Sequence, residues 1–78
     1  MPNQASARPI KHSLTLRGHR TSVSLEAAFW EEFRRIASTS GRSLNDLAAE
    51  IDANREDVGL ASAIRVHVLG WLRDQVSS

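Results

Sequence analysis

The sequence of 78 residues predicts a mostly α-helical domain that starts with a short β ribbon. Three observations carry this expectation. Residues 20–25, RTSVSL, alternate polar and apolar side chains as a half-buried strand does. Three later segments space their apolar residues one helical turn apart, and polar connectors containing Gly41 and Gly59 separate them. The domain is expected over residues 12–76, behind a flexible arm, residues 1–11, that contains Pro2 and Pro9.

In the ribbon, Thr21, Val23 and Leu25 share one face, and Arg20, Ser22 and Ser24 the other. Upstream, Ser13, Thr15 and Arg17 alternate with Leu14 and Leu16, so a hairpin from His12 to Leu25 is one reading. Gly18-His19 would be its two-residue turn, placing Leu16 opposite Thr21 and Leu14 opposite Val23, with all apolar residues on one face. Gly18 fits the end of a disordered arm equally well, which leaves residues 12–17 open as an extra strand.

The first helix is expected from Glu26 to about Thr39, with an acid at its positive end and Gly41 just past its C-terminus. Phe29, Phe33, Ile36 and Ala37 form its buried stripe, and Trp30 reads as core rather than as a ligand platform. The second helix starts at Ser43, where SLND is a capping box, buries Leu44, Leu47, Ala48 and Ile51, and ends near Ala53. Leu60, Ala61, Ile64, Val68, Trp71 and Leu72 mark a third helix reaching about Val76. Gly70 lies inside it at a cost of about 1 kcal/mol relative to alanine, which points to close packing there.

Charge is unevenly placed. Residues 1–25 hold Arg8, Lys11, Arg17 and Arg20 and no acid, whereas residues 26–78 hold six arginines against nine acids. Positive potential is therefore concentrated on the ribbon segment, although scattered basic residues also suit a plain solvated surface. The chain has no cysteine, so it has neither a disulfide framework nor a thiolate zinc site. Ser, His and Asp occur without a nucleophile elbow, a phosphate loop or a His-x-x-x-His pair. No catalytic residue, metal ligand or cofactor is expected, and His12, His19 and His67 read as ordinary surface histidines. MPNQASARP lacks the apolar core of a signal peptide, and the longest apolar stretch, Val68 to Leu72, is far too short for a bilayer. The expectation is a soluble, cytoplasmic protein without a membrane partner. A domain this small buries only about 60–65% of its unfolded surface, so an oligomer is expected.

In order and spacing, residues 20–51 resemble the ribbon-helix-helix family of bacterial DNA-binding proteins. The residues that carry the resemblance are RTSVSL, Glu26, the stripe of Phe29, Phe33 and Ile36, and the turn GRSLND leading to Leu47 and Ile51. With its F-W pair and the S-A-I-R of Ser62 to Arg65, the chain is similar to a longer subgroup with an extra C-terminal helix. The resemblance implies an intertwined homodimer in which the ribbon strands of two chains pair antiparallel over a shared core of Val23, Leu25, Phe29, Phe33, Ile36, Leu47 and Ile51. It also implies a transcriptional regulator, a repressor or autorepressor, that inserts its ribbon into the major groove. Arg20, Ser22 and Ser24 would contact bases, and Arg42, Ser43, Leu44, Asn45, Arg17 and Lys11 phosphates. The alternative is a protein-interaction or antitoxin-type module, a dimer or tetramer that engages a partner through the third helix with Arg65, Trp71 and Arg73. A strand at residues 12–17 beside the ribbon would make the sheet too wide for a groove, and the basic face would then serve another partner.

Overall fold

The structure is a computed structural model that describes residues 7–77, and residues 1–6 of the expected arm lie outside the described residues. Two strands, β1 (Pro9–Leu16) and β2 (His19–Glu26), precede three helices, α1 (Ala27–Thr39), α2 (Leu44–Asn54) and α3 (Leu60–Ser77). The strand β1 begins at Pro9, so Pro9, Ile10 and Lys11 belong to the sheet rather than to an arm.

The partner of β2 is β1 of the same chain, in antiparallel register with Leu16 opposite His19, Leu14 opposite Thr21 and Ile10 opposite Leu25. The turn is Arg17-Gly18, one residue earlier than expected. Both residues have positive φ, 53° and 85°, the signature of a type I′ turn, whose twist matches that of the flanking strands. The expected register differs from the observed one by two residues, so each side chain keeps its face and hydrophobic alternation cannot tell the two apart.

Leu14, Leu16, Val23 and Leu25 line the inner face of the hairpin and are buried against Phe33, Ile36, Ala37, Leu47, Ala48, Ile51, Ile64 and Val68. Thr21 occupies the same face nearer the turn and stays exposed. Of the residues expected to need a second chain for cover, Leu25 and Phe33 are 0% exposed in one chain. Val23, Ile36, Leu47 and Ile51 are also buried, and Phe29 is partly buried. The cover comes from β1 and α3, the two elements that a single ribbon strand with two helices lacks. A shared core is therefore not needed to bury these side chains.

Local chemistry sets the helix ends. The segment after α1 forms a Schellman cap: the Arg42 N–H donates to the Ala37 carbonyl at 2.9 Å and the Gly41 N–H to the Ser38 carbonyl at 3.1 Å, with Gly41 at φ 69°. Ser43 caps α2, its Oγ accepting from the Asp46 N–H at 3.0 Å. Gly70 departs from expectation, because a Cβ there would meet nothing within 4 Å. It lies on the exposed side of α3, so no close packing within the chain explains it. His12 departs as well. Its ring stacks on Trp30 with centroids 3.9 Å apart, and its Nε2 is buried without a hydrogen-bond partner among the described residues, so it is no ordinary surface histidine.

Candidate nucleic-acid interface

The outer face of the hairpin follows from its register. Arg20, Ser22 and Ser24 of β2 stand directly opposite Thr15, Ser13 and Lys11 of β1, and all six side chains are exposed. In a hairpin with a two-residue turn the flanking pair, Leu16 and His19, is hydrogen-bonded, so the next pair, Thr15 and Arg20, is not, and the pattern then alternates. The three outward pairs are therefore the close, non-hydrogen-bonded kind, with Cα atoms about 4.5 Å apart. Their backbone groups point away from the ribbon along its two edges. Pro9, opposite Glu26 in the same series, loses no ladder bond by lacking an N–H.

The two edges differ. On the β1 side the Thr15 N–H donates to Asn45 Oδ1 at 3.1 Å, which seats the N-terminus of α2 beside the ribbon. On the β2 side Arg20, Ser22 and Ser24 meet no backbone partner among the described residues.

Glu26 ends the outward row of β2 but brings no free negative charge to it. Arg65, 39 positions away on α3, grips it with Nε to Oε1 and Nη2 to Oε2, both at 3.0 Å. The Arg65 guanidinium also lies over the Phe29 ring, 5.8 Å from its centroid. The Arg65 hydrogen bonds, followed by a backbone hydrogen bond of Glu26 itself, hold this carboxyl below the usual carboxylate range. Its place at the N-cap of α1, facing the positive helix end, favours the same charged form.

At the start of α2, Ser43 is occupied as a cap, and its carbonyl accepts from the Leu47 N–H. The N–H groups of Leu44 and Asn45 in the first turn are left without a partner among the described residues. The Leu44 side chain packs on the core, so only its backbone faces outward chemistry. Arg42 pairs with Glu50 at 2.6 Å and donates to the Asp46 carbonyl at 3.4 Å. Such a half-exposed pair is worth about 1 kcal/mol or less, which an incoming phosphate can outcompete. Arg17 at the turn joins Arg42 and Asn45 around one shallow depression, which Asp46 and Glu50 also line. Lys11 stands apart, near the open end of the hairpin opposite Ser24.

Sequence reasoning gave no role to Ser13, Thr15 and the Glu26–Arg65 pair. The alternation of residues 13–17 was the signal for the first two, whereas no local pattern announces a contact between residues 39 apart. Of the third-helix residues expected at a protein surface, Arg65 is engaged with Glu26, and Trp71 packs partly buried against the core. Among the described residues, no group of three His, Asp or Glu side chains is arranged to hold a metal ion.

Residues 9–72 match the ribbon-helix-helix domain family. The fold is similar to that of a solved structure, an uncharacterized protein from Bordetella pertussis Tohama I, with a TM-score of 0.78 and 30% sequence identity. The match covers 97% of this chain and 65% of that one. Among curated proteins there is no match.

Proposed function

The chain belongs to the ribbon-helix-helix domain family, whose members are commonly non-enzymatic DNA-binding regulators, and from that premise we propose that it is a sequence-specific repressor or autorepressor of transcription. It lays an antiparallel β ribbon into the major groove, where each base pair shows a distinct pattern of donors and acceptors. The observation that carries this reading is the outer face of the hairpin. It is lined by basic and hydroxyl side chains, it is fully exposed, and its one acid, Glu26, is neutralised by Arg65. Arg20 contacts a guanine edge, and Ser22 and Ser24 contact neighbouring bases. The Leu44 and Asn45 N–H groups, with Arg42 and the cap Ser43, receive a phosphate, and Arg17 and Lys11 contact the backbone on either side. A homodimer adds a second half-site. As a regulator that binds DNA, the protein acts in the cytoplasm. Among the described residues no helix is long and apolar enough to cross a membrane.

One feature favours a second role as an interaction or antitoxin-type module. The outer side of α3 exposes Val66 at 70%, Leu69 at 53% and Val76 at 85%, an apolar stripe suited to a protein partner or to tetramer formation.

Fluorescence anisotropy of the purified chain with DNA from upstream of its own gene, and with a scrambled duplex, tests the first reading across salt concentrations. The specific complex should weaken with a slope near −0.9 per phosphate neutralised. Arg20→Ala should cost about 1–3 kcal/mol of discrimination per contact, twice over in a symmetric dimer, with the circular dichroism unchanged. Equal, weak affinity of the wild type for both duplexes, insensitive to Arg20→Ala, would put the interaction module first.

A further inference from the structure

We propose that both strands of the DNA-reading ribbon belong to one chain, so that Ser13 and Thr15 of β1 read bases beside Ser22 and Arg20 of β2. The inference rests on the DNA-binding reading and assigns it two further specificity residues and a different source for the second strand.

Geometry carries it. A major groove about 12 Å wide admits a two-stranded ribbon. The hairpin is such a ribbon, with strands about 4.8 Å apart. Pairing two copies through their open β2 edges would give the order β1-β2-β2-β1. Three strand spacings then separate the outer strand axes by about 14 Å before side chains are added, which is wider than the groove. A second chain therefore brings a second half-site rather than the second strand of the same ribbon.

The surface chemistry agrees. The outward row of β1, Lys11, Ser13 and Thr15, is exposed and holds no acid, whereas the row opposite it ends in Glu26, which Arg65 pairs. Successive outward residues are about 6.7 Å apart along a strand, close to two base-pair steps of about 3.4 Å. Hydroxyls of Ser13 and Thr15 both donate and accept, which suits base edges of either kind.

The anchoring agrees too. Among the described residues the α2 terminus, with its two unmet N–H donors, is tied to the β1 edge by the Thr15–Asn45 bond and has no such bond to the β2 edge. When β1 and β2 lie in the groove, that terminus is positioned at the phosphate wall on the β1 side. Base and phosphate contacts are thus held in register within a single chain.

The test selects duplexes from a randomised pool with the full chain as wild type, Ser13→Ala, Thr15→Val and Arg20→Ala, followed by anisotropy on the wild-type motif. Thermal melting checks that each variant folds. The expected result is that Ser13→Ala and Thr15→Val each relax preference about five-fold or more, at positions different from those relaxed by Arg20→Ala, with melting unchanged. Native mass spectrometry should show one chain per half-site. If the β1 variants select the wild-type motif with wild-type affinity while Arg20→Ala relaxes it, the one-chain ribbon is overturned and DNA binding stands. A loss uniform over all sequences would make β1 a phosphate contact and equally overturn the base-reading role. If the wild type enriches no motif, the DNA-binding reading fails and this inference with it.

Discussion

The two faces of the hairpin share one backbone and one register yet live in opposite environments. Inward, Leu14, Leu16, Val23 and Leu25 are sealed against the three helices. Outward, Lys11, Ser13, Thr15, Arg20, Ser22 and Ser24 are open to solvent. The inner face fixes which way the ribbon sits, since a slip of one residue would exchange the two sets. The outer face makes no such contribution to folding, so its composition of cations and hydroxyls is unexplained by stability and is free to serve recognition.

The largest effect is expected beneath the sheet. Phe33 is fully buried in α1 beneath the sheet and touches Trp30 with ring centroids 5.9 Å apart. Phe33→Ala should cost about 3–5 kcal/mol, most of the stability of a domain this small, whereas a substitution on the outer face should stay within about 0.5 kcal/mol. Urea denaturation followed by circular dichroism measures both, and similar losses on the two faces would show that the outer row has a structural duty.

A smaller effect is expected where folding and recognition share one atom. Ser43→Ala removes the cap of α2 and should cost about 1 kcal/mol. It should also weaken binding to all duplexes alike, since phosphate contacts carry no base information. A loss that varied strongly with sequence would move base reading to the α2 terminus.

The smallest effect sharpens the register. Arg17 holds φ 53° ahead of Gly18, a conformation that asparagine adopts more readily and that Asn-Gly turns favour. Arg17→Asn should raise stability by relieving part of the about 1–3 kcal/mol that a non-glycine residue in the left-handed region costs, while lowering DNA affinity through loss of a phosphate contact. Stabilisation is expected only if residues 17 and 18 form the turn; a hairpin turning at Gly18-His19 would leave Arg17 in a strand, where asparagine is unfavourable.

What the sequence determined by itself is whatever a few neighbouring residues decide. Alternation sorted Arg20, Ser22 and Ser24 from Val23 and Leu25, and helical spacing marked the stripes of α1, α2 and α3. The Ser43 cap and Gly41 placed two helix ends within a residue of where they lie, because caps and turns depend on backbone donors three to five positions away. Tertiary structure alone decided the rest. Register required the positive φ of Arg17, since registers two residues apart bury the same side chains. The second ribbon strand came from within the chain, and the Thr15–Asn45 and Glu26–Arg65 contacts joined residues 30 and 39 apart. The same holds for His12, whose ring found the Trp30 indole only when β1 was laid against α1. Such contacts arise when separately formed elements pack, and no short-range pattern encodes which side chains then meet.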